Sequence, residues 1–455
     1  MPTPPPPVPT RLWALAATTG AGGFMAMLDS TVANLALESI RAGFDAPLAS
    51  VQWVATAYLI ALAVSLPFTG WLGRRFGQGR LWTASMVVFV AASLLCATAQ
   101  DMAVLVAGRC LQGLAAGLMV PAGQAVLAAK ADARQLGRLM GTVGFAVALG
   151  PALGPALGGY LIELASWRWL FWINLPVGLF ALFAARGLIA GGTRAASERL
   201  DVKGLALVSS GLPLALFGAA AIAGTGGGVL SGVATVAGVL LLGGFWRHGR
   251  RAAAPLIDMR LLDRPGFGAA IATAGLTGAS LYGGLLLLPL YLQRALGQPP
   301  ALTGLMLLVL GLGAAVALPV AGALVDRAGA ARISLAGSGL VVVATAALPD
   351  FLSLLPLAGL LFLRGAGLAL AQMPAMTAAY TLVDKAETGD AATLVNIAQR
   401  LGGALGAIIV VLVVESTVGA GGYRTAFAVL VVFSLGSLAA ARFLPGGHRT
   451  KRPPA

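Results

Sequence analysis

The feature that most constrains this chain is a series of long apolar runs without charge. One of them, LWTASMVVFVAASLLCATAQ at residues 81–100, holds no charged residue at all. About 20 such residues cross a bilayer as an α-helix. Only 10% of the 455 residues are charged, whereas soluble domains carry about 25%. The sequence therefore predicts an all-α polytopic membrane protein.

The apolar runs, divided at charges and at Gly/Pro breaks, predict fourteen transmembrane helices. Of the 30 Lys and Arg residues, 23 fall in segments on one side, 4 fall on the other, and 3 lie within helices. Positive loops stay in the cytoplasm, so both termini are expected there, as a disordered tail (1–11) and a basic tail (444–455). Because the bases are spread over loop ends, the net charge of +14 indicates contact with anionic lipid rather than nucleic acid.

An internal repeat divides the chain into two halves. SLPFTGWLGRRFG at 65–77 aligns with ALPVAGALVDRAG at 317–329, and the same offset of 252 places GPALG (150–154) on GGALG (402–406). Chance matching in an Ala/Gly/Leu-rich chain is the alternative. The repeat predicts two parallel six-helix halves, 12–190 and 267–443, as in transporters that bind substrate between repeats. The linker 191–266 then carries two inserted helices.

Four stretches carry a resemblance to a known family. They are LDSTVANLAL (28–37), RCLQGLAAG (109–117), GPALGPALGG (150–159) and WRWLFWINLPVG (167–178). With them the chain resembles the major facilitator superfamily, in particular its 14-spanner drug:proton antiporters. The resemblance implies the major facilitator fold, a bacterial inner-membrane location, and protons as coupling ion without any other cofactor.

The stretch GPALGPALGG at 150–159 matches the antiporter motif G-x-x-x-G-P-x-x-G-G at every fixed position. The glycines and prolines of this stretch are Gly150, Pro151, Gly154, Pro155, Gly158 and Gly159. Glycines four apart form a smooth helix face that permits close approach, and Gly402 and Gly406 form the matching face in the second half. We expect the two faces to lie at the interface between the halves and to seal a gate.

The loop segment GWLGRRFG at 70–77 departs from the superfamily pattern G-x-L-x-D-R-x-G. Arg74 stands where an aspartate is expected, while the second-half copy keeps Asp326. The predicted cytoplasmic gate comprises Gly70, Arg74, Arg75, Gly77, Gly322, Asp326, Arg327 and Gly329. We expect Asp326 and Arg327 to carry more of the gating role; the alternative is two ordinary clusters of loop charges.

Four charges lie within helices, where they are costly and mark function by default: Asp29, Arg109, Arg364 and Arg400. Asp29 is the one acid away from helix ends and is the candidate proton carrier. Arg109 lies at a similar depth and is its candidate partner. Burial favours the protonated carboxyl and a nearby arginine favours the carboxylate, so movement of Arg109 would load and release the proton. The alternative is a structural pair.

Other polar and aromatic residues are candidates for a substrate cavity. They are Tyr58, Gln124, Tyr282, Asn396, Gln399 and Arg400. The aromatic ones are equally compatible with anchoring at the membrane interface. Three intramembrane arginines against one acid favour neutral or anionic lipophilic substrates over bulky cations.

Together these features predict a monomeric, proton-coupled efflux antiporter for lipophilic small molecules that works by alternating access. The sequence has no G-x-x-x-x-G-K-[ST] loop, nucleophile–histidine pair or metal-binding cluster, so we expect neither an ATPase nor another enzyme. Three alternatives stay open: a dedicated exporter of one metabolite or lipid, an importer or uniporter, and a membrane sensor that binds without transport.

Overall fold

The computed structural model describes residues 7–132, 134–189, 200–225, 228–350, 353–416 and 420–445, which are almost entirely helical. The first group of helices is α1 (Thr10–Leu35), α2 (Leu37–Phe44), α3 (Leu48–Ser65), α4 (Phe68–Phe76), α5 (Gln78–Ala97), α6 (Met102–Lys130), α7 (Leu136–Leu164), α8 (Trp169–Trp172) and α9 (Asn174–Leu188). The middle pair is α10 (Val202–Thr225) and α11 (Val229–Arg251). The last group is α12 (Phe267–Leu290), α13 (Pro300–Ala328), α14 (Ala330–Ala347), α15 (Leu354–Thr381), α16 (Thr388–Ser416) and α17 (Ala420–Ala441). The predicted tails and linker lie partly outside the described residues, at 1–6, 190–199 and 446–455.

Many of these helices are long enough to cross a membrane. Within the described residues, ten pass by length and hydropathy, and the bent pair Trp53–Ser65 and Phe68–Phe76, with 58° between its parts, makes an eleventh. The bend falls at Pro67, whose ring removes a backbone donor and breaks the helix. Helices occupy every predicted position, and the count of fourteen spans stays a prediction.

The first half is held together by close helix contacts at glycine. Helix α6 packs on α3, where a Cβ atom at Gly117 would lie 2.5 Å from the carbonyl oxygen of Leu62. Helix α7 packs on α1 in the same way, since a Cβ atom at Gly150 would lie 2.7 Å from the backbone nitrogen of Leu28. Small residues let backbones approach in lipid, where apolar burial does not drive helices together.

The second half repeats this arrangement, with α16 on α12 in place of α7 on α1. Side chains at Gly402 and Gly406 would overlap the carbonyl groups of Gly275 and Ala279 on α12. The glycine faces of α7 and α16 therefore pack within their own halves, and the prediction that they face each other across the interface is wrong for this conformation. The reason is that each face already covers the first helix of its half. Gly158 is buried, while the packing of Pro151, Pro155 and Gly159 lies outside what the structure describes.

The inserted hairpin lies against both halves through its first helix. Helix α10 contacts α3 of the first half and α16 of the second, and its Val208 and Leu212 are fully buried. Helix α11 packs on α10 and turns apolar side chains outward, among them Val229 and Leu230, which are 88% and 78% exposed. Such a surface fits contact with lipid tails.

Candidate functional site

A buried ion pair joins α1 to α6 inside the first half. The carboxylate of Asp29 accepts a hydrogen bond from Nη1 of Arg109, and both residues are 1% exposed. The sequence predicted that the two lie at a similar depth, and the structure brings them into contact. An isolated charge at this depth is unfavourable, and each residue neutralises the other.

Three polar residues that the sequence reasoning missed complete this site. Gln112 Nε2 and Asn174 Nδ2 donate to Asp29 Oδ1 over 3.3 and 3.2 Å, and both also donate to Ser93 Oγ over 2.8 and 3.3 Å. Gln112 Oε1 in turn accepts from Arg109 Nη1 at 2.9 Å. Signals were present: Gln112 follows Arg109 by three residues and shares its helix face, and Asn174 lies within the WRWLFWINLPVG stretch.

Helix α3 lies beside the ion pair and contacts Arg109. Arg109 Nε donates to the carbonyl oxygen of Val54 at 2.8 Å, and its guanidinium lies 4.3 Å from the centre of the Tyr58 ring. Tyr58 is 1% exposed, and its hydroxyl donates to the carbonyl oxygen of Ala26. The expectation that Tyr58 lines an open cavity is therefore wrong for this conformation, because its ring face binds the arginine instead.

The two halves meet at one face, where α4, α6, α13 and α15 end and α5, α7, α14 and α16 begin. We call this the gate face; the distribution of Lys and Arg predicts that it is cytoplasmic. Here Asp326, at the end of α13, accepts bonds from the backbone N–H groups of Gly137 and Arg138 at 2.9 and 3.2 Å and from Arg138 Nε at 3.0 Å. Helix α7 has no acidic residue in its first turn, so Asp326 of the other half caps its positive end.

The second contact at the gate face involves Arg74, which stands where the superfamily pattern has an aspartate. Arg74 Nη1 lies 2.5 Å from Asp390 Oδ1, in the first turn of α16. Because α16 carries its own acid at its positive end, an aspartate at position 74 would face another carboxylate. Arg74 supplies the complementary charge instead.

The backbones also come close at the gate face. A Cβ atom at Gly141 of α7 would lie 2.7 Å from the carbonyl oxygen of Leu318, and a side chain at Gly322 of α13 would overlap the peptide of Gly137. Likewise a side chain at Gly70 would collide with the carboxylate of Asp390. Sequence reasoning placed Gly70 and Gly322 in the gate but overlooked Gly137 and Gly141.

The remaining predicted gate residues shape the turns. Gly77 and Gly329 end α4 and α13 with φ of +91° and +87°, a region that other residues avoid. Arg75 and Arg327 are exposed, and the guanidinium of Arg75 lies 5.3 Å from the centre of the Trp71 ring.

A polar cluster behind the gate face links the halves at greater depth. Gln124 Oε1 on α6 accepts hydrogen bonds from Tyr380 Oη and Asn396 Nδ2, each at 3.0 Å. All three residues are buried. Gln124 and Asn396, predicted to line a cavity, are therefore bonded to each other across the interface in this conformation.

The other cavity candidates lie farther along α16 and α12. Gln399 and Arg400 are half-buried. Tyr282 is 38% exposed, and its ring lies against Gly403. These three residues have accessible surface, so they, rather than Tyr58, Gln124 and Asn396, could meet a ligand here.

Comparison with known proteins decides the family. The Major Facilitator Superfamily profile matches residues 19–407 and 270–455. The chain belongs to the major facilitator superfamily. Membership makes it a membrane transporter rather than an enzyme. The fold agrees: the solved structure of the human organic anion transporter MFSD10 superposes with a TM-score of 0.69 at 16% identity, covering 95% of this chain and all of that one.

Several bacterial members of the superfamily are similar in sequence. The Multidrug resistance protein B homolog of Mycobacterium tuberculosis is 38% identical over 392 residues, which cover 84% of this chain and 72% of that protein. Puromycin resistance protein pur8 of Streptomyces alboniger is 33% identical, covering 88% and 81%. The Probable actinorhodin transporter of Streptomyces coelicolor is 33% identical, covering 89% and 72%.

Proposed function

We propose that the chain is an antiporter of the bacterial inner membrane that exports lipophilic small molecules in exchange for protons. The names of its relatives, a multidrug resistance protein, a puromycin resistance protein and an actinorhodin transporter, support export. The observation that carries proton coupling is Asp29. Among the described residues it is the one carboxylate that lies more than a turn from either end of a long helix, and its partner is a cation.

The geometry supports a cycle in which ion-pair separation accompanies proton binding. Protonation of Asp29 in place would leave Arg109 as a buried cation without a counter-charge, which is costly. Asp29 therefore takes its proton when α1 and α6 shift and water enters the site. The proton is released when Arg109 returns to the carboxylate. The gate face closes for one stage of this cycle and opens for the other.

The accessible polar surface favours neutral or anionic substrates. Arg400 is half-buried near the middle of α16, and no described carboxylate pairs with it. An arginine in that setting attracts an anionic group and repels a cation. The alternatives are a dedicated exporter of one metabolite or lipid, which would use the same chemistry, and a sensor, which would bind its ligand without moving it.

The test is a growth-inhibition panel in a host that lacks its own efflux pumps. We expect wild-type protein to confer resistance to neutral or anionic lipophilic compounds, and Asp29→Asn to abolish it, because the amide binds no proton. The matched control is Asp350→Asn, since Asp350 forms an exposed pair with Arg424; it should keep full resistance. Expression of all three is measured by immunoblot.

Proton coupling is then measured in everted vesicles, where substrate addition should dissipate a preformed pH gradient. Resistance and gradient dissipation that survive Asp29→Asn would eliminate Asp29 as the carrier. Binding without any flux would favour the sensor, and flux of a single compound would favour the dedicated exporter.

A further inference from the structure

The inserted hairpin is tied to the gate through one carboxylate, Asp201, which directly precedes α10. Asp201 accepts hydrogen bonds from the backbone N–H of Gly204 at 2.9 Å and from that of Leu256 at 3.1 Å, and His248 Nε2 lies 2.8 Å from Oδ1. These partners belong to the start of α10, the end of α11, and the segment between α11 and α12. One side chain thus fastens both ends of the hairpin to the segment that leads into the second half.

The Leu256 peptide connects Asp201 to Arg74 at the gate face. Its N–H donates to Asp201, and its carbonyl oxygen accepts from Arg74 Nη2 at 3.4 Å. Arg74 Nη1 binds Asp390. A guanidinium is a rigid planar fork, so a contact at one Nη restricts the direction of the other. Leu256 is 1% exposed, so the surrounding side chains restrict the movement of this peptide.

Helix α10 supports the same arrangement along its length. Ser209 Oγ donates to the carbonyl oxygen of Val64 on α3 at 3.2 Å, and α10 also packs on α16. The helix therefore contacts both halves while the gate face is closed. A rocking motion of one half against the other must alter at least one of these contacts.

We propose that the inserted hairpin is a brace for the closed gate, with Asp201 as a positioning residue that directs Arg74 towards Asp390 through the Leu256 peptide. The proposal rests on the proposed alternating-access function. In this proposal the two inserted helices stabilise the conformation in which the gate face is closed.

The charge state of Asp201 is suited to this role. Partial burial raises the pKa of its carboxyl, but hydrogen bonds from Gly204, His248 and Leu256 outweigh this effect, so its pKa lies below its ordinary value. The carboxylate is therefore ionised throughout the neutral range. An asparagine could not replace it, because the amide NH₂ would face donors where the carboxylate accepts.

The test measures the gate directly, by electron-spin distance between labels on Arg80→Cys and Lys385→Cys in nanodiscs. Both positions are exposed on the gate face, one in each half. Cys110 is replaced by serine, and Cys96 is buried and stays. Asp201→Asn should raise the ratio of open to closed gate by roughly ten- to a hundredfold, the effect of losing one hydrogen bond to a charged group. His248→Ala, which removes one donor only, should raise it less.

The matched control is Asp263→Asn. Asp263 belongs to the same segment and pairs with Arg250 at 2.9 Å on the exposed surface, without contact to Leu256 or Arg74. The control should keep the wild-type ratio. A shift in Asp201→Asn equal to that in the control, in protein of wild-type thermal stability, overturns the brace.

Two further outcomes separate this inference from the proposed function. If Asp201→Asn does not fold, His248→Ala decides: a wild-type ratio in that variant overturns the brace. If wild-type protein shows one distance under every condition and moves no substrate, both the brace and the proposed function fail. If wild-type protein transports and changes distance while both hairpin variants match it, the brace alone fails.

Discussion

At the scale of single residues, two buried arginines differ in how their charge is neutralised. Arg109 contacts the carboxylate of Asp29. Arg364 is 0% exposed in the second half and donates to the carbonyl oxygen of Ser280 at 2.6 Å and to Thr345 Oγ1 at 3.0 Å. No carboxylate among the described residues contacts Arg364, and its Nη1 has no hydrogen-bond partner. The first arginine belongs to an ion pair, whereas the second is a cation held by neutral groups.

The same substitution at these two positions should therefore have opposite consequences. Arg109→Met leaves Asp29 buried without a counter-charge. It should lower the free energy of unfolding by on the order of 3 kcal/mol. Arg364→Met removes an uncompensated charge and should leave stability unchanged or higher. Melting temperatures of the two variants in detergent, measured by size-exclusion chromatography after heating, check this. Equal losses in both would show that Arg364 is also an essential structural contact.

At the scale of one helix, α7 uses two sets of glycines for two purposes. Gly150 and Gly154 lie on α1 within the first half, and a Cβ atom at Gly154 would lie 2.9 Å from Thr31 Cγ2. Gly141 and Gly144 face Leu318 of the second half. The stretch at 150–159 thus packs within its own half, and the glycines preceding it permit close contact between the two halves at the gate face.

Alanine substitutions at Gly141 and Gly144 distinguish an effect on the contact at the gate face from an effect on helix propensity. Both changes increase the helix propensity by about 1 kcal/mol. A methyl group at Gly141 meets the Leu318 carbonyl oxygen at 2.7 Å, whereas one at Gly144 meets only the end of the Leu318 side chain at 3.1 Å. Gly141→Ala should disfavour the closed gate by about 1–3 kcal/mol, and Gly144→Ala should leave it near wild type. The spin-label distance across the gate measures both, and identical distributions would contradict this account.

At the scale of the whole molecule, the two gate ion pairs are the same contact with exchanged charges. The repeat offset of 252 residues relates Arg74 to Asp326 and Arg138 to Asp390. The pair Arg74–Asp390 therefore corresponds to the pair Asp326–Arg138. At each of these two equivalent positions the halves contact each other through one carboxylate and one guanidinium.

Charge exchange at one pair tests whether this complementarity holds the gate. Arg74→Asp places a carboxylate opposite Asp390 and should abolish transport. Adding Asp390→Arg restores opposite charges and should recover part of it, although an arginine in the first turn of α16 is unfavourable to the helix dipole. Substrate flux in vesicles measures both variants. Failure of the double variant to exceed the single one would show that the pair does not act through its charge.

Much of the architecture followed from the sequence because hydropathy and repeat spacing are local or periodic signals. Uncharged runs predicted the helices, and the offset of 252 predicted two related halves. Asp29 and Arg109 were found as candidates since a charge inside a lipid-spanning segment is conspicuous by itself. The glycine turns at Gly77 and Gly329 were likewise visible as parts of a repeated motif.

The partners of these residues were decided only by the tertiary structure. Which side of a helix faces its own half and which faces the other depends on packing, so the direction of the α7 and α16 glycine faces was predicted wrongly. Gln112, Asn174 and Asp201 are polar residues at ordinary positions, and each bonds to a group that lies more than 40 residues away in the chain, which local sequence patterns do not show. Membrane insertion is determined by the composition of each segment, whereas a binding site or a gate depends on distances between segments.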